Sequence, residues 1–182
     1  MSTQNVSKEK NFTLNMAKSR LSVGYTKNNN DFVQYWNDNK TFQKVNALLS
    51  KNNEQDYVLL DGPPYANGPL HLGHALNKNF KDLVVKSRWY QGQSVNFRPG
   101  WDCHGLPLEL AVEKKHGRQD VFKMKELCRE LALTSVENHK VGFKSLGVLG
   151  DWDNPYLTLS DENLRGNWNT LAKKKKKDLL VY

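Results

Sequence analysis

Two histidines three residues apart, His71 and His74, sit inside Asp61-Gly62-Pro63-Pro64-Tyr65-Ala66-Asn67-Gly68-Pro69-Leu70-His71-Leu72-Gly73-His74. An apolar run, Tyr57-Val58-Leu59-Leu60, enters this stretch and a helical pattern from Leu72 to Tyr90 leaves it, which puts both imidazoles at a strand-to-helix junction. Such junctions bind anions. The unpaired N–H groups of the first helical turn and the positive end of the helix dipole face whatever occupies the site. One histidine just before the helix and one in its first turn can face the same side and donate to a phosphate. Gly73 between them leaves backbone bare for a flat ring to approach, and Pro63 and Pro64 stiffen the incoming loop. A bare His-x-Gly-His is equally compatible with two polar helix-start residues, so the flanking residues carry the decision.

The elements that position this junction can be read along the chain. Residues 1–30 are polar, rich in Ser, Asn and Lys, and show no sustained period, so they read as an extended, partly disordered arm. From Asp31 to Lys51, Phe32, Tyr35, Trp36, Phe42, Val45, Leu48 and Leu49 recur at helical spacing with a break at Asn37–Lys40. This predicts two short helices with an aromatic core-facing side. A strand over Asp56–Leu60, a helix from Leu72 to Gln91 closed by Gly92, and a strand over Ser94–Arg98 make one βαβ unit, for which a right-handed crossover is the rule. In open α/β sheets ligands lie beyond the carboxyl ends of the strands. Asp61–His74 and Pro99–Glu109 both fall there and can converge on one pocket. Leu106–His116 and Val121–Leu146 read as helices, the second through Phe122, Leu127, Leu131, Leu133, Val136 and Phe143. His116 and His139 read as surface residues. A last helix starts near Ser160-Asp161 and runs to Lys173–Lys177, and Asp178–Tyr182 reads as the beginning of a strand. Five successive lysines could contact a nucleic acid, but a solvated helix end where positive charge suits the dipole is the preferred reading.

Three blocks in order are similar to one family, the class I aminoacyl-tRNA synthetases, and to its isoleucine type in particular. His-x-Gly-His occurs across the class and in related nucleotidyltransferases, whereas Gly62 to Gly68 ahead of it is isoleucine-like. Pro99-Gly100-Trp101-Asp102-Cys103-His104-Gly105-Leu106-Pro107-Leu108-Glu109 resembles the isoleucine-type motif at its expected place. Leu146-Gly147-Val148-Leu149-Gly150-Asp151-Trp152-Asp153-Asn154-Pro155-Tyr156-Leu157-Thr158 resembles a third family block. Thr13-Leu14-Asn15 fits the family's N-terminal segment, while Met16-Ala17-Lys18 and Asn28-Asn29-Asn30 depart from it.

The resemblance implies an α/β fold: the first half of a Rossmann-like catalytic domain over residues 31–182, with parallel strands and crossover helices, preceded by the arm. It implies activation of isoleucine by ATP to isoleucyl-adenylate, with Mg2+ on the phosphates, and transfer to tRNA-Ile. Such chemistry needs positioning and charge neutralisation rather than a protein nucleophile. By the same resemblance, His71 and His74 are catalytic and, with Asn67, Gly68 and Gly73, bind ATP. Asp102 takes the substrate's ammonium, and Gly62 and Pro63 line the amino-acid and adenylate pocket. A loop-capping role is the structural alternative for Asp102. Cys103-His104 could suggest a thiol nucleophile or a metal site, but adjacent residues rarely point into one site and no third ligand or base is evident, so structural roles are preferred.

At 182 residues and 21.0 kDa, with 38% hydrophobic residues, the chain can hold one ordinary domain. On the family's pattern it stops near the start of the editing insertion, which isoleucine enzymes need because an apolar pocket separates isoleucine from valine poorly; they are the standard example of that limit. The Lys-Met-Ser-Lys-Ser loop of the second catalytic half is also missing, and Phe122-Lys123-Met124-Lys125-Glu126 lies too early and within a helical pattern. The expectation is therefore an N-terminal piece, incomplete by itself and open to completion by a second polypeptide. A non-catalytic synthetase-derived module that binds tRNA, ATP or a partner is the alternative. A net charge of +8 suits a polyanionic partner. Two cysteines exclude a disulfide framework, and no apolar run has the length of a membrane span or a signal peptide, so a cytoplasmic, membrane-free location is expected.

Overall fold

The structure, a computed structural model, describes residues 25–51 and 56–176. Helices α1 (Tyr25–Asp38) and α2 (Thr41–Leu49) come first, followed by strand β1 (Tyr57–Leu59), helix α3 (Leu72–Tyr90) and strands β2 (Val95–Phe97) and β3 (Gly100–Trp101). Helices α4 (Leu106–His116) and α5 (Val121–Ser145), strand β4 (Tyr156–Leu157) and helix α6 (Asp161–Lys176) complete the order. The expected strand at Asp178–Tyr182 and most of the N-terminal arm lie outside the described residues. Helix α1 begins at Tyr25, inside the stretch expected to be an arm.

The βαβ unit forms as the periodicity predicts. β1 and β2 pair in parallel, Tyr57 opposite Val95 and Leu59 opposite Phe97, with α3 as the connection. β2 and β3 belong to one extended run that changes partners along its length. After Phe97 its carbonyl accepts from Asp151 N (3.0 Å), Pro99 O accepts from Tyr156 N (2.9 Å), and β3 pairs in parallel with β4. At its end Asp102 bridges to Tyr65, so the loop ahead of α3 is stitched to the end of this run by backbone hydrogen bonds: Asp102 N to Pro64 O and Ala66 N to Asp102 O, each 2.8 Å. This parallel arrangement is the Rossmann-like half that the sequence implied.

Two apolar clusters flank the run. One gathers Ala66, Trp101, Leu108, Ala132, Val136, Phe143, Val148, Trp152 and Leu159, with the Phe143 and Trp152 rings stacked at 6.1 Å. The other joins Phe42, Val85, Val95 and Phe97. Of the aromatic face expected on the first two helices, Phe42 is buried and Trp36 packs by Gly147, while Phe32 and Tyr35 face outward. Likewise Phe122 and Leu133 are exposed on α5, whose buried stripe is Ala132, Ser135, Val136, His139 and Phe143. Asp120 caps α5, accepting from Phe122 N (2.9 Å) and Lys123 N (3.1 Å). α6 is capped by Ser160 and ends in exposed Lys173–Lys176, the charge distribution its dipole favours. No helix among the described residues is long and apolar enough to cross a membrane.

Candidate active site

His71 is the N-cap of α3, with the extended φ of −128° that an N-cap requires. Its Nδ1 accepts from Gly73 N at 3.1 Å, and its own N–H donates to His74 Nδ1 at 3.3 Å. The two imidazoles therefore form a reciprocal cap of the kind Ser and Glu usually provide. Their rings stack with centroids 3.8 Å apart. Because each Nδ1 is an acceptor, each neutral ring carries its proton on Nε2. The pair thus keeps two Nε2–H donors that are not used in the cap, which suits the oxygens of an anion. The His74 imidazole is held below its ordinary pKa, first by burial, then by the nearby charges of His71, His139 and Lys78. A neutral His74 orients an anion without adding a full charge.

A hollow of about 400 Å3 opens beside them, lined by Gly62, Pro63, Pro64, Tyr65, His71, Gly73, His74, Asn77, Lys78 and Phe143. Five of the residues singled out from the sequence, Gly62, Pro63, His71, Gly73 and His74, are brought together on its wall. Gly73 does leave a close approach open, but to its own neighbour: a Cβ there would stand 3.1 Å from the His71 ring. Asn67 and Gly68 are not on this wall. Gly68 turns the chain at a φ of +63°, where other residues are strained, and points its carbonyl at α5.

Asp102 reaches the same end of the sheet through its backbone bridge to Tyr65. Its Oδ1 accepts from His104 N and from Thr158 Oγ1, both at 3.3 Å, and Thr158 Oγ1 in turn accepts from Cys103 N at 2.8 Å. The loop-capping role is therefore real, and it leaves Oδ2 without a hydrogen-bond partner among the described residues. Thr158, in the third sequence block, orients this carboxylate from 56 positions away. Burial pushes the Cys103 thiol up, which suits a structural residue.

Three residues that the sequence reading passed over turn out to organise the site. His139, expected on the surface, is 1% exposed. Its Nδ1 accepts from Trp101 Nε1 at 3.2 Å, which leaves Nε2–H to donate to Gly68 O at 2.8 Å. It ties the histidine loop, the residue before Asp102 and α5 together, and its ring lies 5.8 Å from that of His74. The spacing contains the signal: His139 is three residues after Val136 and four before Phe143, in the middle of a buried stripe. Asp61 and Lys78 are the other two. The Asp61 carboxylate, 3% exposed, pairs with both Lys78 and Lys81 and accepts from Gly100 N at 2.8 Å. It thereby clamps the end of β1 to α3 and to β3. Burial pulls the Lys78 ammonium below its usual pKa, against the opposing pull of Asp61.

A parallel βαβ half-domain whose helix opens on His-x-Gly-His, joined at the strand ends to the loop that carries Asp102, has the architecture of the first half of a class I synthetase-type catalytic domain. The comparisons place it further. The family described as tRNA synthetases class I (I, L, M and V) matches residues 31–182, and the chain belongs to that family. Among its relatives, isoleucine–tRNA ligase of Sulfurimonas denitrificans is 44% identical over 161 residues, 84% of this chain and 17% of that protein. The isoleucine–tRNA ligases of Pseudomonas aeruginosa (strain LESB58) and Azoarcus sp. (strain BH72) are 42% identical over 92% of the chain and 49% identical over 78% of it. The chain spans 15 to 18% of the length of these relatives. A likeness in fold is found to the LeuRS of Agrobacterium radiobacter K84 in its ternary complex with tRNA and LeuAMS, with a TM-score of 0.64 and 22% identity over 83% of this chain and 18% of that one.

Proposed function

We propose that this chain carries the ATP and amino-acid half-site of an isoleucine–tRNA ligase, in which the isoleucine carboxylate attacks the α-phosphate of ATP. The observation that carries the reading is the stacked His71–His74 cap, whose two rings line the hollow with Nδ1 engaged by backbone, beside the loop stitched to Asp102. In this reading the histidines hold the phosphate oxygens in line and stabilise the charge that builds on them. The free Oδ2 of Asp102 receives the isoleucine ammonium. Gly62 and Pro63 form the wall against its side chain and the adenylate. Asn67 and Gly68 shape the loop that binds the nucleotide. Mg2+ enters as part of the substrate, on the phosphates. Unpaired Cys103 and Cys128 suit the reducing cytoplasm.

In this reading the 182 residues do not complete the reaction alone: tRNA-Ile is the acceptor substrate of the full-length parent, and a completing polypeptide is one source of the remaining catalytic half. Support comes from the apolar surface left open: Leu72, Leu76, Phe80 and Leu83 form one exposed stripe on α3, and Val58 and Leu60 stand open at β1. The test is a pair of measurements on the chain. ATP titration of the wild type against His71→Ala/His74→Ala should show binding that the double substitution weakens at least tenfold, and equal affinity would sink the half-site. Isoleucine-dependent ATP–pyrophosphate exchange should be absent from the chain alone, and robust exchange would refute its incompleteness. ATP binding without exchange under every condition of complementation would favour a non-catalytic binding module instead.

A further inference from the structure

The charges beneath the histidine hollow do not balance. Lys78 is 1% exposed and the Lys81 side chain 15%, and both ammonium groups converge on the single carboxylate of Asp61. The remaining hydrogen bond to that carboxylate comes from Gly100 N, which is neutral. Around Lys78 Nζ lie three aromatic faces, Phe143 at 5.4 Å, Trp101 at 5.9 Å and Phe97 at 6.0 Å, which stabilise a cation but carry no formal charge. The next carboxylate along α3, Asp82, is already engaged by Lys86 and by Leu149 N at 2.9 Å. Two cations share one anion, Lys78 enclosed and Lys81 nearer the surface, where it also donates to Asn77 Oδ1 at 3.0 Å, a neutral acceptor. Such a surplus is costly to bury unless a counter-charge arrives. Lys78 also forms part of the wall of the hollow that His71 and His74 face.

We propose that the Lys78–Asp61–Lys81 cluster is a built-in positive charge that draws the polyphosphate of a nucleotide into this hollow. The inference rests on the reading of the hollow as a nucleotide site and deepens it by naming where the charge comes from. The histidine cap supplies direction, through two Nε2–H donors, but uncharged donors do not neutralise a triphosphate. The cluster supplies charge without direction, because Asp61 holds both ammonium groups in place. Acting from a buried position, one unit of charge is felt across several ångströms with little screening. The division of labour also explains why a carboxylate opens the motif: Asp61 fixes two lysines that would otherwise repel, and leaves one unit of charge over.

Lys78→Met tests this, since methionine fills the aliphatic volume and leaves Asp61 paired with Lys81 and Gly100. ATP, inorganic tripolyphosphate and adenosine are titrated into the wild-type chain and the variant without added divalent cation. The expected result is a loss on the order of tenfold for ATP and for tripolyphosphate, the size for one charge about 10 Å away at an effective dielectric near 20. Adenosine, which carries no phosphate, should bind both proteins equally. An equal loss for adenosine would make Lys78 a merely structural residue, and unchanged ATP affinity in a folded variant would overturn the proposal directly. A wild type that binds ATP while K78M binds it as well defeats the inference alone, whereas a wild type that binds no ATP defeats the nucleotide-site reading with it. Should K78M not fold, Lys81→Met removes the same unit of charge from the other carboxylate oxygen, nearer the surface, and is read in the same way.

Discussion

Replacing His139 by leucine removes a ring that joins three elements without leaving a large void. Leucine keeps most of the apolar volume, so the cost comes from the polar atoms it abandons. The indole Nε1–H of Trp101, a residue with no exposed surface, loses its acceptor and stays buried, at about 1–3 kcal/mol. Gly68 is exposed, so its carbonyl finds water again and the net loss there is about 0.5–1 kcal/mol. The expected destabilisation is about 1.5–4 kcal/mol, which for a chain of this size lowers Tm by roughly 3–16 °C. Circular dichroism melts of wild type, His139→Leu and His139→Gln give the comparison. Glutamine carries both a donor and an acceptor and should recover about half of the loss. A double-mutant cycle with Trp101→Phe should show the two residues coupled by about 1 kcal/mol, since the indole no longer needs an acceptor once it is gone. ATP affinity should follow stability only in part: H139L frees Gly68 from α5 and loosens the loop carrying His71, and glutamine should restore binding. A leucine variant that melts within a degree of wild type would refute the reasoning, because it would mean that the Trp101–His139–Gly68 chain does not hold these elements.

Two further outcomes follow from the site's electrostatics. The folded-state pKa of His74 lies below its unfolded value of about 6.5, so the unfolded chain takes up the proton first as pH falls. The stability this contributes is present above that value and lost on acidification toward the folded pKa, where protonation at Nδ1 also breaks the bond from His71 N. Urea unfolding from pH 7 to pH 5 should show a fall in midpoint that His74→Asn flattens; parallel pH profiles would count against it. Asp61→Ala strips the counter-charge from two lysines, one of them fully enclosed, and should cost about 3–5 kcal/mol. Its urea midpoint should drop well below that of K78M, and equality of the two would show that the carboxylate is not what holds the cluster.

The open apolar stripe of α3 has a bearing on all these measurements. Leu72, Leu76, Phe80 and Leu83 succeed one another at helical spacing, and Leu72 is 85% exposed although it immediately follows the cap. Surfaces of this kind associate, so the melts are best read across a range of protein concentrations.

What the sequence determined by itself was everything governed by short-range physics. The strand–loop–helix junction, the placing of the two histidines at the start of α3, the break between α1 and α2 within Asn37–Lys40 and the span of α4 all depend on residues within about four positions of one another, where periodicity acts. The class of the family was likewise legible in ordered blocks of residues, and the family's model matches residues 31–182. The pairing of β3 with β4 was not legible, because two-residue strands carry no pattern of alternation. Nor were the partners of the charged and polar side chains. Trp101 meets His139 from 38 positions away, Thr158 meets Asp102 from 56, and His139 meets Gly68 from 71. A histidine in a helical stripe looks polar in sequence and becomes a core residue only when the fold brings it both a donor and an acceptor. Asp61 reads as the first letter of a motif, and only packing shows it as the carboxylate that gathers Lys78, Lys81 and Gly100 N. Burial decides these roles, because a polar group can leave water only where the tertiary structure has placed its partners.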